Sequence, residues 1–173
     1  MYQIFPILGV LAWVTMWAQY VVVTISRYSA IKQPSFFRWT GRFVLALIIL
    51  HPSVFLVQRF FDTGLLPPES YISYVGPLSA WAIAIAIAAL AVFLLYGIAR
   101  RFRHRLTSRG LWSYISLMQI AAMIAIFLHS LVVGSSTMTG YFAAWWWFLG
   151  LVLLPCLLLQ IIQDFRSLSK KDI

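Results

Sequence analysis

Two histidines, His51 and His129, stand inside runs of apolar residues, where ionisable side chains are costly and usually serve a function. No Asp, Glu or Lys lies well inside any such run of this chain. His51 is eight residues before Arg59, and His129 is five before Gly134, so each lies a short way from the end of its run. If both runs cross a membrane in the same sense, the two depths differ by three residues. At about 1.5 Å per residue that is one helical turn or less, which helix tilt absorbs. A neutral imidazole offers one nitrogen lone pair, and two at similar depth on separate helices suit axial ligation of a haem between them. Such an iron has no vacant position, so its chemistry is outer-sphere electron transfer rather than oxygen binding. Spacing alone leaves other readings open: a histidine bonded to a neighbouring helix, a proton path, or another metal site. A proton path ordinarily includes carboxylates and a zinc site about four ligands; neither supply is visible.

The elements that must position these residues follow from composition. The 173 residues are 62% hydrophobic and 10% charged, with a mean hydropathy of +0.90. Ordinary globular chains are roughly 45–50% apolar and about 25% charged. So few charges cannot cover a surface in water, and the solvent is therefore a bilayer. That excludes a soluble enzyme, a disordered tail and a secreted disulfide scaffold; the lone Cys156 has no partner for an internal disulfide. Five runs are long enough to cross the hydrocarbon, approximately Ile4–Ser26, Gly41–Phe60, Val75–Ala99, Leu111–Val133 and Tyr141–Gln163. They predict an all-α bundle of five transmembrane helices, a single transmembrane domain over residues 1–173. The alternation Ala82-Ile83-Ala84-Ile85-Ala86-Ile87 reads locally like a strand. Its run is too long for one, and an unclosed strand cannot satisfy its backbone in lipid, so this too is expected to be helix.

The net charge of +9 is explained by topology rather than by nucleic acid. Arg27, Lys32, Arg38 and Arg42 flank the first connection; Arg100, Arg101, Arg103, Arg105 and Arg109 fill the third; Arg166, Lys170 and Lys171 follow the last run. Of thirteen cations only Arg59 falls on the other side, near Asp62 and Glu69. The positive-inside rule then sets the N-terminus outside and the C-terminus in the cytoplasm of an inner membrane. The first run has no basic n-region or small-residue cleavage site, so no removable signal peptide is expected. The basic loops set topology and can meet anionic lipid headgroups. Trp39, Trp112 and the run Trp145-Trp146-Trp147 suit an interfacial belt. Between Phe61 and Gly76 lies the one sizeable outer segment, interrupted by Gly64 and Pro67-Pro68, with Tyr71 and Tyr74 placed to pack down on the bundle. His104, amid Arg101, Arg103 and Arg105, reads as a solvated loop residue.

At the intramembrane histidines the chain resembles the ferric reductase-like transmembrane family, which includes the membrane parts of ferric reductases and NADPH oxidases. The second run reads Phe37-Arg38-Trp39-Thr40-Gly41, then His51-Pro52; family members often carry His-Arg-x-x-Gly there, with a second His fourteen residues after the first. The fourth run has Trp112, then Ser116, and thirteen residues later His129-Ser130 followed by Gly134. The family pattern is Trp, three residues, a His, a second His thirteen on, and a glycine. The likeness extends to the first run through Gly9, Gln19 and Arg27.

The resemblance implies a b-type cytochrome that exchanges electrons with a partner. Family members typically hold two stacked haems on four histidines. Here the inner pair is replaced by Phe37 and Ser116, so only the outer pair, His51 and His129, carries over. One haem per chain is the expectation, with Arg59, at the outer end of the same helix as His51, as a partner for a haem propionate. The vacated inner position is expected to be filled by Phe36, Phe37 and Trp112, with Ser116 bonded to its own helix. The family's additional N-terminal span and flavin domain are not seen, so a flavin or nicotinamide domain would belong to another chain. Fourteen helical residues, roughly 21 Å, separate position 37 from His51, too far for ready transfer from a cytoplasmic flavin. A membrane quinol or a redox partner protein is the expected donor class, although Gln19, Gln58 and Gln119 are too scattered to define a quinone site. The alternative is a haem-free scaffold or assembly subunit with a degenerate reductase-like fold.

Overall fold

A computed structural model describes residues 4–28, 37–102, 109–134 and 139–169. Among them there are helices and no strands: α1 (Ile4–Tyr28), α2 (Phe37–Thr63), the short α3 (Glu69–Val75), a 3-10 turn (Pro77–Ser79), α4 (Ala80–Arg101), α5 (Arg109–Val133) and α6 (Gly140–Ser169). Five of these, all but α3, are long and apolar enough to cross a membrane. The alternating Ala-Ile stretch is helical within α4. His104 and Phe36, and the side chain of Phe37, lie outside the described residues.

The helices stop where backbone chemistry requires. Gly64, at φ 68°, follows α2, and its N–H donates to the Phe60 carbonyl at 2.8 Å. Only a residue without a Cβ takes this left-handed position freely. The Thr63 hydroxyl donates to the Arg59 carbonyl at 2.8 Å and accepts from the Leu65 N–H at 3.2 Å. The segment beyond is not simply a loop, since Glu69–Val75 makes two turns of helix. Glu69 supplies negative charge to its first turn, favourable at a helix N-terminus. Gly76, at φ 78°, ends it, and its N–H donates to the Ile72 carbonyl at 2.8 Å. The third crossing therefore begins at Ala80 and not at Val75, because Gly76 and Pro77 break the hydrogen-bond ladder between them.

The chain divides into two compact units, Met1–Ile83 and Ala84–Ile173. In the first, α1 packs on α2. Of the buried residues, Phe5, Ala12 and Met16 of α1 and Val44, Leu47 and Phe55 of α2 lie three, four, seven or eight residues apart, spacings that keep one helical face inward, with Trp13 buried beside Ala12. Pro52 removes one backbone donor from α2, and next to it the Ser53 hydroxyl donates to the Ile49 carbonyl at 2.8 Å.

In the second unit α5 packs on α6. Ser116, Ile120 and Met123 on α5, and Trp146, Leu153 and Leu157 on α6, are buried along one stripe of each helix. Phe127 fits against Gly150, where an added Cβ would come within 2.5 Å of the ring. The Trp146 indole N–H donates to Ser130 Oγ at 2.8 Å, and Gln160 Nε2 donates to Ser116 Oγ at 2.8 Å. These three pairs, 116 with 160, 127 with 150 and 130 with 146, keep an antiparallel register to within one residue. Steps of four and three residues along both helices are the heptad spacing of interlocking helices. Trp146, 2% exposed, is consequently a seam residue and not part of an interfacial belt; Trp145 and Trp147 face outward.

Candidate functional site

His51 lies on the α1-facing stripe of α2, one turn above Leu47 and one below Phe55. Its Nδ1 is 2.6 Å from the backbone carbonyl oxygen of Phe5. A carbonyl oxygen only accepts, so Nδ1 carries the proton and Nε2 retains the lone pair of the neutral ring. The ring rests directly on Gly9: a Cβ there would sit 2.9 Å from Cε1, 3.1 Å from Nδ1 and 3.4 Å from Nε2. One turn of α1 thus supplies both the hydrogen-bond acceptor and the space.

An aromatic cluster continues from His51 toward α3. The Phe5 ring is 6.0 Å from the His51 ring, 5.0 Å from Phe55 and 5.9 Å from Tyr74. Tyr71 stacks on Phe55 at 5.7 Å, and Tyr74 meets the same ring edge-on at 5.0 Å. Both tyrosines pack down as their position suggested. Burial raises both phenol pKa values above the usual tyrosine range, and for Tyr74 the Arg59 charge partly opposes this. The phenols are therefore neutral at physiological pH.

Arg59 closes the cluster. Its guanidinium lies 5.8 Å over the Tyr74 ring, and Nη2 donates to the Ser73 hydroxyl, which in turn donates to the Ser70 carbonyl at 3.0 Å. The Arg59 Nε–H is buried without a hydrogen-bond partner, as is the Ser70 hydroxyl. A buried donor with no acceptor is expensive, and an anionic group would complete the guanidinium. His51, Phe5, Tyr74 and Arg59 are hence joined in a single unit, with α2 providing both the imidazole and the cation.

His129 belongs to the second unit, half-buried on α5. The contacts of Phe127 with Gly150 and of Ser130 with Trp146 define the side of α5 that faces α6. At about 100° per residue, His129 is set about 130° away from the middle of that side. Ser116 Oγ accepts from Gln160 of α6 at 2.8 Å, a partner on another helix besides the bond to its own helix that the sequence suggests. Gln160 was not singled out in the sequence, although it follows the α6 stripe at the heptad step. Trp112 packs on Tyr96 of α4 with ring centroids 5.6 Å apart.

The donor set suits a haem in kind. Among the described residues no group of three or more His, Cys, Asp or Glu is assembled, whereas a zinc site takes about four ligands. A porphyrin supplies its own equatorial nitrogens and takes only axial groups from the protein. At His51, a ligating histidine's usual outer partner, a backbone carbonyl on the other ring nitrogen, is already in place. No protein-family model, curated protein or solved structure matches the chain.

Proposed function

We propose that the chain is a membrane-embedded b-type cytochrome, ferric reductase-like, that relays electrons through one haem in the outer half of the bilayer. His51 and His129 would hold the haem iron, and Arg59 would partner one of the haem carboxylates. The observation that carries this reading is the 2.6 Å contact between His51 Nδ1 and the Phe5 carbonyl, which leaves Nε2 as the nitrogen for coordination. When bound, the haem would supply one-electron exchange at an iron with both axial positions filled. The chain's own part is to hold and orient. α1 fixes the His51 ring, and the buried Arg59 Nε–H offers charge and a hydrogen bond to a carboxylate.

The charge distribution supports an outer N-terminus and a cytoplasmic C-terminus in an inner membrane, with twelve of thirteen cations on one face. The reading requires a quinol or a redox partner protein as donor or acceptor. Favouring the second reading, a haem-free scaffold, is the Gln160–Ser116 bond, which occupies the inner position with an ordinary interhelical contact. An optical spectrum of the purified chain separates the two. A Soret band with reduced b-type bands, and a pyridine-haemochrome count near one haem per chain, is the expected result. A colourless, stable protein supports the scaffold. Reporter fusions should place the C-terminus in the cytoplasm; an external C-terminus would refute the orientation.

A further inference from the structure

We infer that the turn of α1 from Phe5 to Gly9 is the positioning device for His51, selecting which ring nitrogen is presented for coordination and fixing the plane of the ring. The inference rests on the haem reading for its purpose, but the geometry stands on the chain alone. In an α-helix the carbonyl of residue 5 already accepts the N–H of residue 9. The His51 Nδ1–H takes a second lone pair of the same oxygen at 2.6 Å. That bond forms only if the ring approaches the α1 backbone, and Gly9 is the residue that permits the approach. Any Cβ at position 9 would lie 2.9 Å from Cε1 and 3.1 Å from Nδ1, and separations under 3.0 Å are essentially unknown for real Cβ atoms.

The buried Phe5 ring, backed by Phe55 at 5.0 Å, stands 6.0 Å from the imidazole. With a Cβ at position 9 the imidazole must move off α1, and a displacement of even a few tenths of an ångström changes its angle at the carbonyl. With the Phe5 bond weakened, the two neutral tautomers come closer in energy. The Nε2-protonated form, which has no lone pair at Nε2, then gains population. Gly9 is therefore a positioning residue that acts through His51. Outer partners of metal-bound histidines typically change affinity by about 10–100-fold when lost, and the same range is expected here.

The test uses the full-length protein and three glycine variants. Gly9→Ala removes the space beside His51; Gly41→Ala is a control, with none of the described residues within 4 Å of the added methyl. Gly150→Ala is a second control that crowds Phe127 in the other unit without touching His51, and it reports what packing damage alone does. The first readout is the nitrogen-15 spectrum of histidine-labelled protein without haem, assigned with His51→Ala. The wild-type His51 should be protonated at Nδ1, and Gly9→Ala should shift it toward a tautomer mixture. The second readout is haem affinity with the reduction midpoint of the bound form. Gly9→Ala should weaken affinity by about 10–100-fold and move the midpoint, while both controls keep the wild-type midpoint. A wild-type His51 protonated at Nε2 would overturn the inference without any variant. So would a Gly9→Ala protein with an unchanged tautomer, or a Gly150→Ala protein with the same midpoint change. Should His51→Ala retain haem, the haem reading fails, and the tautomer measurement still decides the role of Gly9.

Discussion

The two helix pairs, α1 with α2 and α5 with α6, handle their polar side chains in opposite ways. In α5–α6 the polar residues of the seam satisfy one another: Gln160 with Ser116 near one end, Trp146 with Ser130 near the other. His129 takes no part in those two bonds. In α1–α2 the histidine lies within the seam and bonds to backbone, while at the end of α2 the Arg59 Nε–H and the Ser70 hydroxyl are buried without partners. A seam that closes on itself is a structural contact. One that holds a histidine by a single nitrogen and buries a guanidinium N–H without an acceptor is the contrast on which the proposed haem site draws.

The largest expected effect follows from that contrast. His51→Ala and His129→Ala should each abolish or severely weaken haem binding, because one axial imidazole is lost in either case. Ser116→Ala should leave the Soret band in place, since its hydroxyl is used by Gln160. Absorbance per mole of protein in purified samples measures all three. Retention of haem in both histidine variants would remove the basis for treating the two seams differently.

Second in size is Gly150→Ala. The added methyl would lie 2.5 Å from Phe127 Cζ and 2.9 Å from Cε2. Phe127 also abuts Trp147 edge-on at 5.8 Å, so a shift of the ring would disturb that contact as well. Overpacking costs about 1–3 kcal/mol, and this outweighs the helix-propensity gain of about 1 kcal/mol from replacing glycine. The variant should unfold earlier in a detergent titration, whereas Gly41→Ala should match or slightly exceed wild type. Equal stability of the two would mean that the α5–α6 register is looser than its contacts indicate.

Much of this architecture was legible in the sequence, and what was hidden has physical reasons. Hydropathy located five crossings because lipid demands long apolar helices, and it placed His51 and His129 inside them. It overran the start of the third crossing, because apolarity continues from Val75 through Leu78 while the backbone is turned by Gly76 and Pro77. The helix α3 escaped because two turns bury too little to leave a periodic signal; Glu69 directly after Pro67-Pro68 was its only marker. The acceptor for His51 is a main-chain oxygen, and a carbonyl has no side-chain signature. Gln160 was accessible in principle, since Trp146, Gly150, Leu153, Leu157 and Gln160 follow heptad steps opposite Ser116 to Ser130. Reading α5 and α6 as a pair, rather than as separate spans, would have found it.

A smaller effect is expected from Gln160→Leu. The substitution removes the donor to Ser116 Oγ but keeps an apolar side chain of similar length on the seam. Interhelical hydrogen bonds in membranes average about 0.6 kcal/mol in measured cycles, because the separated helices find other partners. A loss of about that size in the detergent titration is expected, and a double variant with Ser116→Ala should lose little more. A loss several times larger would show that the inner position has a role beyond packing.

The smallest effect concerns the aromatic cap and its response to alkali. Tyr71 and Tyr74 have folded pKa values above the usual phenol range, with burial as the main cause and Arg59 opposing it at Tyr74. For an acid whose folded pKa is raised, the folded state gains from the neutral form below the unfolded pKa. That contribution is lost as pH rises through and above the unfolded value toward the folded one. The cap should therefore be insensitive to pH across the physiological range and loosen only beyond ordinary tyrosine ionisation. Ultraviolet titration should show phenols that ionise late in the wild type, and Tyr71→Phe with Tyr74→Phe should remove those late components. Ionisation of either residue at or below the free-tyrosine range would mean that α3 does not stay packed on Phe55 and Phe5. The His51 end of the cluster would then be more open to water than the α1–α2 seam implies.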